Sequence, residues 1–251
     1  MSEKLRKQDL TQFDFSCGTA LRSAIIIHIY PWGCDPVSIN GNIGRVLACV
    51  LIGYLLGSIN PAYLIVRRKG YDVREEGSGN AGASNALIIA GKAAFLTVVV
   101  LDILKAWASC RICRGLFPTL TAAEQIGGAA CVMGHLFPAT LGFRGGKGLA
   151  CQGGVVLSWS WKWFLLLLGA AILLAVVTKY VCFVSPSLSV TYPLIFWWRT
   201  GFLTGALVLL MPALPIILKH LENFRRIRSG QEARLSFLWN RDAELERLGR
   251  K

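Results

Sequence analysis

Charged side chains are scarce in this sequence: they make up only 16% of its 251 residues, whereas soluble proteins average about 25%. Apolar residues reach 54%, and the mean hydropathy is +0.51. So few charges cannot cover the surface of a water-soluble globule, which excludes an ordinary soluble enzyme as well as a disordered or collagen-like chain. The composition instead predicts an all-α polytopic membrane protein without a separate soluble domain of useful size.

Acidic side chains are scarcer than basic ones, with 14 Asp and Glu against 27 Lys and Arg and a formal net charge of +13. In a soluble protein this balance would suggest nucleic-acid binding. Here the cations gather beside apolar segments, where anionic lipid headgroups and membrane topology account for them better. We therefore expect membrane lipids, and no nucleic acid, as partners.

The sequence also lacks a cysteine framework, although it contains eight cysteines. Several lie inside apolar runs, where cysteine behaves as a small hydrophobic residue. Cys110 and Cys113 form a single Cys-x-x-Cys pair, and no two further ligands stand at metal-site spacing. This pattern favours unpaired thiols and predicts no metal site.

Apolar runs near the length of a membrane crossing, about 20 residues, follow one another from residue 46 onward. The run Val181–Trp198 contains Pro186 and Pro193, which favours a partial or re-entrant helix. The pattern predicts five to seven transmembrane helices, some of them short or re-entrant. The other predicted spans are Val46–Val66, Ala93–Ala108, Ile126–Leu141, Val155–Thr178 and Phe202–Leu218.

The two ends of the chain lie outside these runs. Residues 1–42 are predicted to be a peripheral N-terminal extension, because the stretch Ala24–Ile29 is too short to span and has no convincing signal-peptide features. Residues 43–231 are predicted to be the membrane-embedded domain. Residues 232–251 are predicted to be a basic cytoplasmic tail, which is either solvated or folded as an amphipathic surface helix.

Lysine and arginine clusters follow the first, third and last predicted spans. Because basic loops face the cytoplasm, five net crossings place all three clusters on the cytoplasmic side and the N-terminus outside. Two glycine-rich loops, residues 77–85 and 143–148, then lie on that same side.

Both glycine-rich loops combine backbone freedom with polar donors. Glycines allow backbone N–H groups to approach and surround an anion, and a helix beginning near Ser84 would direct its positive end to the same place. The second loop adds Lys147, which its glycine neighbours are expected to leave on an open, flexible loop. Close helix packing is the alternative role for such glycines. The presence of two loops with clustered donors favours a phosphate site over packing alone. The second loop lacks the spacing of a Walker A motif, so nucleotide hydrolysis is not predicted.

Two further polar pairs lie in apolar segments. Asp102 and Lys105 are three residues apart on one helical face and are predicted to pair, either as a structural clamp or as part of a site. His220 and Asn223 also share a face at the end of the last span. They are candidates to contact a phosphate or hydroxyl group, or are interfacial polar residues.

Six short motifs occur in order along the chain. The motifs are Gly57-Ser-Ile, Gly77-Ser-Gly-Asn-Ala-Gly-Ala-Ser-Asn85, Asp102-Ile-Leu-Lys105, Gly134-His-Leu-Phe-Pro138, Phe143-Arg-Gly-Gly-Lys-Gly148 and His220-Leu-Glu-Asn223. They resemble those of the acyl-phosphate:glycerol-3-phosphate acyltransferase family, and the resemblance runs from about Ile43 to Gln231.

The resemblance implies a multi-pass enzyme of the bacterial cell (inner) membrane with its active site facing the cytoplasm. It would move a fatty acyl group from acyl phosphate to the 1-hydroxyl of glycerol 3-phosphate, giving lysophosphatidic acid and phosphate, without coenzyme A, a metal or another cofactor. The enzyme that produces acyl phosphate is then a candidate partner.

Motif matching places Ser78, Lys147, Ser185, His220 and Asn223 in the substrate site. With the loop argument added, the candidate catalytic residues are His135, Lys147 and His220. The candidate substrate-binding residues are Ser78, Gly79, Asn80, Gly82, Asn85, Gly145, Gly146, Ser185 and Asn223.

The sequence departs from the family pattern at position 88, where Ile88 replaces an arginine and so removes a strong phosphate donor. Smaller departures are Ser84 for threonine, Arg144 for lysine and Cys182 for serine.

Acyl phosphate is an activated mixed anhydride, so positioning and charge neutralisation are the main demands on the site. We hypothesise that a substrate phosphate oxygen accepts the hydroxyl proton, with His135 and His220 as the rival bases. The alternative function is a transporter or binding protein for a phosphorylated metabolite. A coenzyme-A-dependent acyltransferase of the His-x4-Asp type is disfavoured, because no histidine here is followed by Asp at that spacing.

Overall fold

The computed structural model describes residues 42–249, which form helices joined by short loops and, within that range, no β-strand. The predicted N-terminal extension, residues 1–42, lies outside the described residues apart from Asn42. Three short 3-10 turns cover Ala139–Leu141, Val181–Phe183 and Leu235–Leu238. The α-helices are α1 (Ile43–Ser58), α2 (Pro61–Arg67), α3 (Ala83–Ala90), α4 (Lys92–Leu116), α5 (Ala123–Leu136), α6 (Leu149–Trp159), α7 (Trp161–Thr178), α8 (Val184–Thr200), α9 (Leu203–Leu210), α10 (Ala213–Arg228) and α11 (Arg241–Arg247).

Five helical segments of the described range are long and apolar enough to cross a membrane, which confirms the predicted all-α polytopic class. Many of their leucine, isoleucine, valine and tryptophan side chains face outward and are exposed, as contact with lipid requires. The five segments are Ile43–Arg67, Lys92–Leu116, Trp161–Thr178, Val181–Thr200 and Leu203–Arg228.

The predicted spans Val155–Thr178 and Ile126–Leu141 have different boundaries in the structure. The run Val155–Thr178 is divided at Ser160, whose hydroxyl accepts a hydrogen bond from the backbone N–H of Trp163 (3.5 Å) and so caps the start of α7. The predicted span Ile126–Leu141 corresponds to the 14-residue α5, which ends at Leu136 before Pro138. A 14-residue helix is about 21 Å long, shorter than a typical hydrocarbon core of about 30 Å.

The segment predicted to be broken by prolines forms one continuous helix instead, α8 with a 3-10 turn before it, and qualifies as a span. Pro186 is the third residue of α8, where a backbone N–H has no partner within the helix, so the missing donor is harmless. Pro193 lies inside α8 and is accommodated there.

Helices α1 and α5 pack closely and run in the same direction, because glycines of α1 meet successive turns of α5. A Cβ atom on Gly53 would meet the carbonyl oxygen of Gly127, and one on Gly57 would lie 2.9 Å from the Cα of Cys131, one turn further along α5. Small residues allow such close helix contact in membranes. Since the two helices are parallel, the loops that follow them lie at the same end of the bundle, as the topology analysis predicted for the two glycine-rich loops.

The described part of the predicted tail is folded against the membrane domain. The backbone N–H of Leu235 donates to the carbonyl of Lys179 (2.7 Å), and Phe237 is buried. The Glu244 carboxylate accepts hydrogen bonds from the backbone N–H of Arg234 (2.8 Å) and from Arg247 (2.6 Å). Helix α11 therefore fastens residues 230–238 in place.

Candidate active site

The first glycine-rich loop is organised around the fully buried side chain of Asn85. Its Oδ1 accepts a hydrogen bond from the N–H of Ser78 (2.8 Å), and its Nδ2 donates to the carbonyls of Val73 (2.7 Å) and Glu76 (2.9 Å). Asn85 thereby fixes the loop around the turn at Gly77, which has a φ of 61° that favours glycine.

Helix α3 begins at Ala83, beside the predicted start near Ser84. Within residues 42–249, the side chains of Ser78, Asn80 and Ser84 donate no hydrogen bond, and neither do the backbone N–H groups of Ala83 and Ser84. The start of α3 thus offers unused donors next to a positive helix end, which is the arrangement that binds anions.

The second glycine-rich loop is tightly packed, in contrast to the expected open loop. The N–H of Gly145 donates to the carbonyl of Leu136 (3.2 Å), and that of Gly146 donates to the carbonyl of His135 (3.1 Å). A Cβ atom on Gly146 would lie 2.9 Å from the carbonyl oxygen of Ala81 and would also collide with the imidazole of His135. Gly146 therefore lets the two glycine-rich loops and His135 meet.

Arg74 braces the two loops against each other. Its guanidinium binds the Asp72 carboxylate through Nε (3.0 Å) and Nη2 (2.6 Å), and its Nη1 donates to the carbonyl of Leu141 (2.9 Å). The hydrogen bonds from Arg74 lower the pKa of Asp72 to about 2, so the pair stays ionised at neutral pH.

Lys147 leaves the second loop and reaches α10. Its ammonium donates a hydrogen bond to Oδ1 of Asn223, and its carbonyl accepts one from the hydroxyl of Ser185 (3.0 Å). Asn223 in turn donates to Glu232 (2.6 Å), which also accepts a hydrogen bond from Nε of Arg226 (2.7 Å). Burial, together with the positive charge of Arg226, lowers the pKa of Lys147 below its usual value.

The predicted pair of Asp102 and Lys105 forms, with Lys105 Nζ 2.7 Å from Oδ1 of Asp102. The same ammonium donates to the carbonyls of Gly57 (3.0 Å) and Ile59 (2.6 Å) at the end of α1 and lies 3.1 Å from Nδ1 of His135. A cation is favourable beside the carbonyls that end a helix. Lys105 therefore supports the clamp interpretation, because it joins α1, α4 and α5 and orients His135.

Asp102, His135 and Cys151 lie close enough together to suggest a metal cluster, with candidate ligand atoms within 4.8 Å of one another. The Lys105 ammonium already neutralises Asp102 and contacts His135. A second cation there would face repulsion from a buried lysine.

His220 is oriented by its own helix. Its Nδ1 lies 2.7 Å from the carbonyl of Ile216, and because a carbonyl only accepts, Nδ1 is the protonated nitrogen. In the neutral ring, Nε2 then remains free to accept a proton or a hydrogen bond.

A cavity of about 560 Å³ connects these groups. Its polar part contains eight predicted site residues, namely Ser78, Asn80, Gly82, His135, Lys147, Ser185, His220 and Asn223. Its apolar part is formed by α4, α6, α7 and α8, with Phe95, Val99, Ile103, Phe164, Leu167, Leu168, Ile172, Val176 and Leu188 among the lining side chains. A polar anion site thus continues into a groove suited to a hydrocarbon chain.

Four predicted substrate-binding residues do not line the cavity: Gly79, Asn85, Gly145 and Gly146. The structure shows how Asn85, Gly145 and Gly146 shape the two loops, and direct contact of any of the four with substrate stays a prediction.

Arg226 and Glu232 line the cavity but were not among the predicted site residues. Arg226 and Glu232 are six residues apart, and α10 ends between them, so the spacing of three or four residues that indicates a helical pair did not identify them. Ile88 also lines the cavity, so the departure from the expected arginine occurs in the wall of the site itself.

Residues 47–230 match the profile of a family described as glycerol-3-phosphate acyltransferase. The chain belongs to this family. A glycerol-3-phosphate acyltransferase of Thermoanaerobacter sp. (strain X514) is 39% identical over 189 residues, which are 74% of this chain and 93% of that relative. One from Pectobacterium carotovorum is 36% identical over 200 residues, which are 78% and 90% of the two chains.

The fold is also that of the family. A crystal structure of PlsY (YgiH), an integral membrane glycerol 3-phosphate acyltransferase in its glycerol 3-phosphate form, superposes with a TM-score of 0.68 at 33% identity. The match covers 77% of this chain and 96% of that one. A second structure of the same protein, in its lysophosphatidic acid form, superposes with a TM-score of 0.65 at 32% identity, covering 75% and 94% of the two chains. This membrane acyltransferase therefore shares both sequence and architecture with PlsY.

Proposed function

We propose that this glycerol-3-phosphate acyltransferase takes its acyl group from acyl phosphate and transfers it to the 1-hydroxyl of glycerol 3-phosphate, in the bacterial cell (inner) membrane. The products are lysophosphatidic acid and inorganic phosphate. The observation that carries the proposal is the cavity whose polar part, with Lys147 and Asn223, continues into an apolar groove along α7. The active site faces the cytoplasm, because the arginine-rich end of α10 lies beside it.

Phosphate binding is assigned to the first loop and Lys147. The unused donors at Ser78, Asn80 and the start of α3 lie on the same cavity as the Lys147 ammonium. A phosphate held there would receive both backbone hydrogen bonds and a charge-assisted bond, which is about twice as strong as a neutral one. Such a site supports acyl transfer mainly by positioning and by neutralising charge.

The hydroxyl of glycerol 3-phosphate attacks the carbonyl carbon, the bond to the phosphate oxygen breaks, and the departing phosphate takes the hydroxyl proton. His135 and His220 are the rival proton acceptors, because both line the cavity, and Nε2 of His220 makes no hydrogen bond within residues 42–249. A His135→Gln or His220→Gln variant that abolished turnover while glycerol 3-phosphate affinity stayed unchanged would contradict the base-free route.

One assay tests the proposal directly. Purified protein is given glycerol 3-phosphate with acyl phosphate, acyl-coenzyme A or free fatty acid, and lysophosphatidic acid is quantified. We expect product from acyl phosphate alone, with one phosphate released per lipid formed. Product from acyl-coenzyme A only would refute the assigned donor. Movement of a phosphorylated metabolite across vesicles without any lipid product would instead support the transporter alternative.

A further inference from the structure

The last part of the cavity wall comes from outside the region that matches the family. The match ends at residue 230, yet residues 231–239, here called the tail segment, continue along the cavity. Four large apolar side chains of this segment line it: Leu235, Phe237, Leu238 and Trp239. The sequence alone predicted that these residues belong to a basic cytoplasmic tail.

The tail segment is held firmly by hydrogen bonds. The N–H of Leu235 donates to the carbonyl of Lys179 (2.7 Å) at the end of α7. Arg247 donates to the carbonyls of Gly230 (2.9 Å) and Glu232 (2.7 Å), so α11 clamps the start of the segment. The segment is therefore a fixed wall of the cavity.

The tail segment lies beside the polar part of the cavity, where the proposed reaction takes place. Glu232, within the segment, accepts hydrogen bonds from both Asn223 and Arg226. Trp239, at its far end, lines the cavity and is also 64% exposed. The segment thus reaches from the polar groups to the surface of the protein, with Phe237 buried between.

We propose that Phe237, Leu238 and Trp239 form a hydrophobic barrier that keeps water from the acyl phosphate and so directs the acyl group to glycerol 3-phosphate. The inference rests on the proposed function. An activated anhydride is open to attack by any oxygen nucleophile, and sealing a site against water prevents such side reactions.

The two competing reactions have distinct products. In transfer, the glycerol oxygen bonds to the acyl carbon, the carbon–oxygen bond to phosphate breaks, and phosphate leaves with the hydroxyl proton. In hydrolysis, water oxygen bonds to that carbon instead. Fatty-acid carboxylate, hydrogen phosphate and one proton are then formed, and no lipid product appears.

The experiment measures phosphate and lysophosphatidic acid together, with purified full-length protein, acyl phosphate and varied glycerol 3-phosphate. The test variants are Trp239→Ala and the double variant Phe237→Ala, Leu238→Ala. The matched control is Trp161→Ala, which removes a tryptophan of nearly the same exposure (62%) that does not line the cavity. Trp239→Ala keeps the test informative if the double variant fails to fold, because an exposed ring contributes little to the core.

We expect the ratio of phosphate to lysophosphatidic acid to be near one in the natural protein and in Trp161→Ala. It should rise severalfold in Trp239→Ala, most strongly at low glycerol 3-phosphate. An unchanged ratio in Trp239→Ala would overturn the barrier, and so would an equal rise in Trp161→Ala. If the natural protein makes no lysophosphatidic acid from acyl phosphate, the proposed function itself fails instead.

Discussion

Replacing Lys147 by methionine removes the cation that joins the second glycine-rich loop to the cavity while keeping a side chain of similar length. In the structure, the ammonium lies in the cavity wall and binds Asn223. The variant should lower kcat/KM for glycerol 3-phosphate and acyl phosphate, because the substrate phosphate group bound at Lys147 loses its charge-assisted hydrogen bond.

The magnitude follows from that bond. A hydrogen bond to a charged group contributes about 1.5–3 kcal/mol when its partner is otherwise desolvated. Each 1.4 kcal/mol corresponds to about a tenfold change in rate. Lys147→Met should therefore lower kcat/KM by about ten- to a hundredfold.

Arg144→Met is the matched control, since it removes a neighbouring exposed cation of the same loop whose side chain, within residues 42–249, donates only to the carbonyl of Arg74 (3.2 Å). Exposed charges contribute little, so its kinetics should change by less than about threefold. Both variants are compared at equal amounts of folded protein under saturating and limiting glycerol 3-phosphate. Near-normal kinetics for Lys147→Met would refute the phosphate role of this loop.

Four further results are expected from the same assay. Because the pKa of Lys147 is lowered, its ammonium loses its proton at a lower pH than an ordinary lysine does. We therefore expect kcat/KM to fall as the pH rises through the pKa of Lys147, and Lys147→Arg should move this fall to higher pH. Ile88→Arg should lower KM for glycerol 3-phosphate by adding a donor to the cavity wall, whereas Ile88→Met should leave it unchanged. Asn85→Ala should reduce both activity and thermal stability, since it leaves the N–H of Ser78 and two carbonyls without their partner, and each buried polar group left unpaired costs about 1–3 kcal/mol. Gly146→Ala should abolish activity by displacing the imidazole of His135. Gly115→Ala should not affect turnover, because, apart from its neighbours in α4, no described residue lies within 4 Å of the added Cβ atom.

The sequence predicted the helical class and the approximate spans because apolar run length and loop charge are local properties. It could not locate the break at Ser160, since neither proline nor glycine marks it. It also overestimated the effect of Pro186, because the harm done by a proline depends on where the helix begins.

For the site, motif chemistry identified side chains that share one cavity although they are more than a hundred residues apart in sequence, such as Ser78 and His220. It did not separate residues that line the cavity from residues that hold its loops. Asn85 is the example, because its side-chain amide makes three hydrogen bonds to backbone groups of the loop. Such a distinction depends on side-chain direction, which a linear pattern does not contain.

Helix α7 has a consequence for how a lipid leaves the protein. It forms one side of the apolar groove, yet Ala175 is its only buried residue in the described structure. Its other core contacts come from partly buried side chains such as Trp163, Phe164 and Leu167, so α7 could move aside without uncovering a buried core, and its outer face is apolar and exposed. A fatty acyl chain could then pass laterally from the apolar groove into the hydrocarbon core of the bilayer. It would avoid the roughly 0.8 kcal/mol per methylene that exposure to water costs. The water-soluble substrate and the lipid product can thus enter and leave the cavity by different routes.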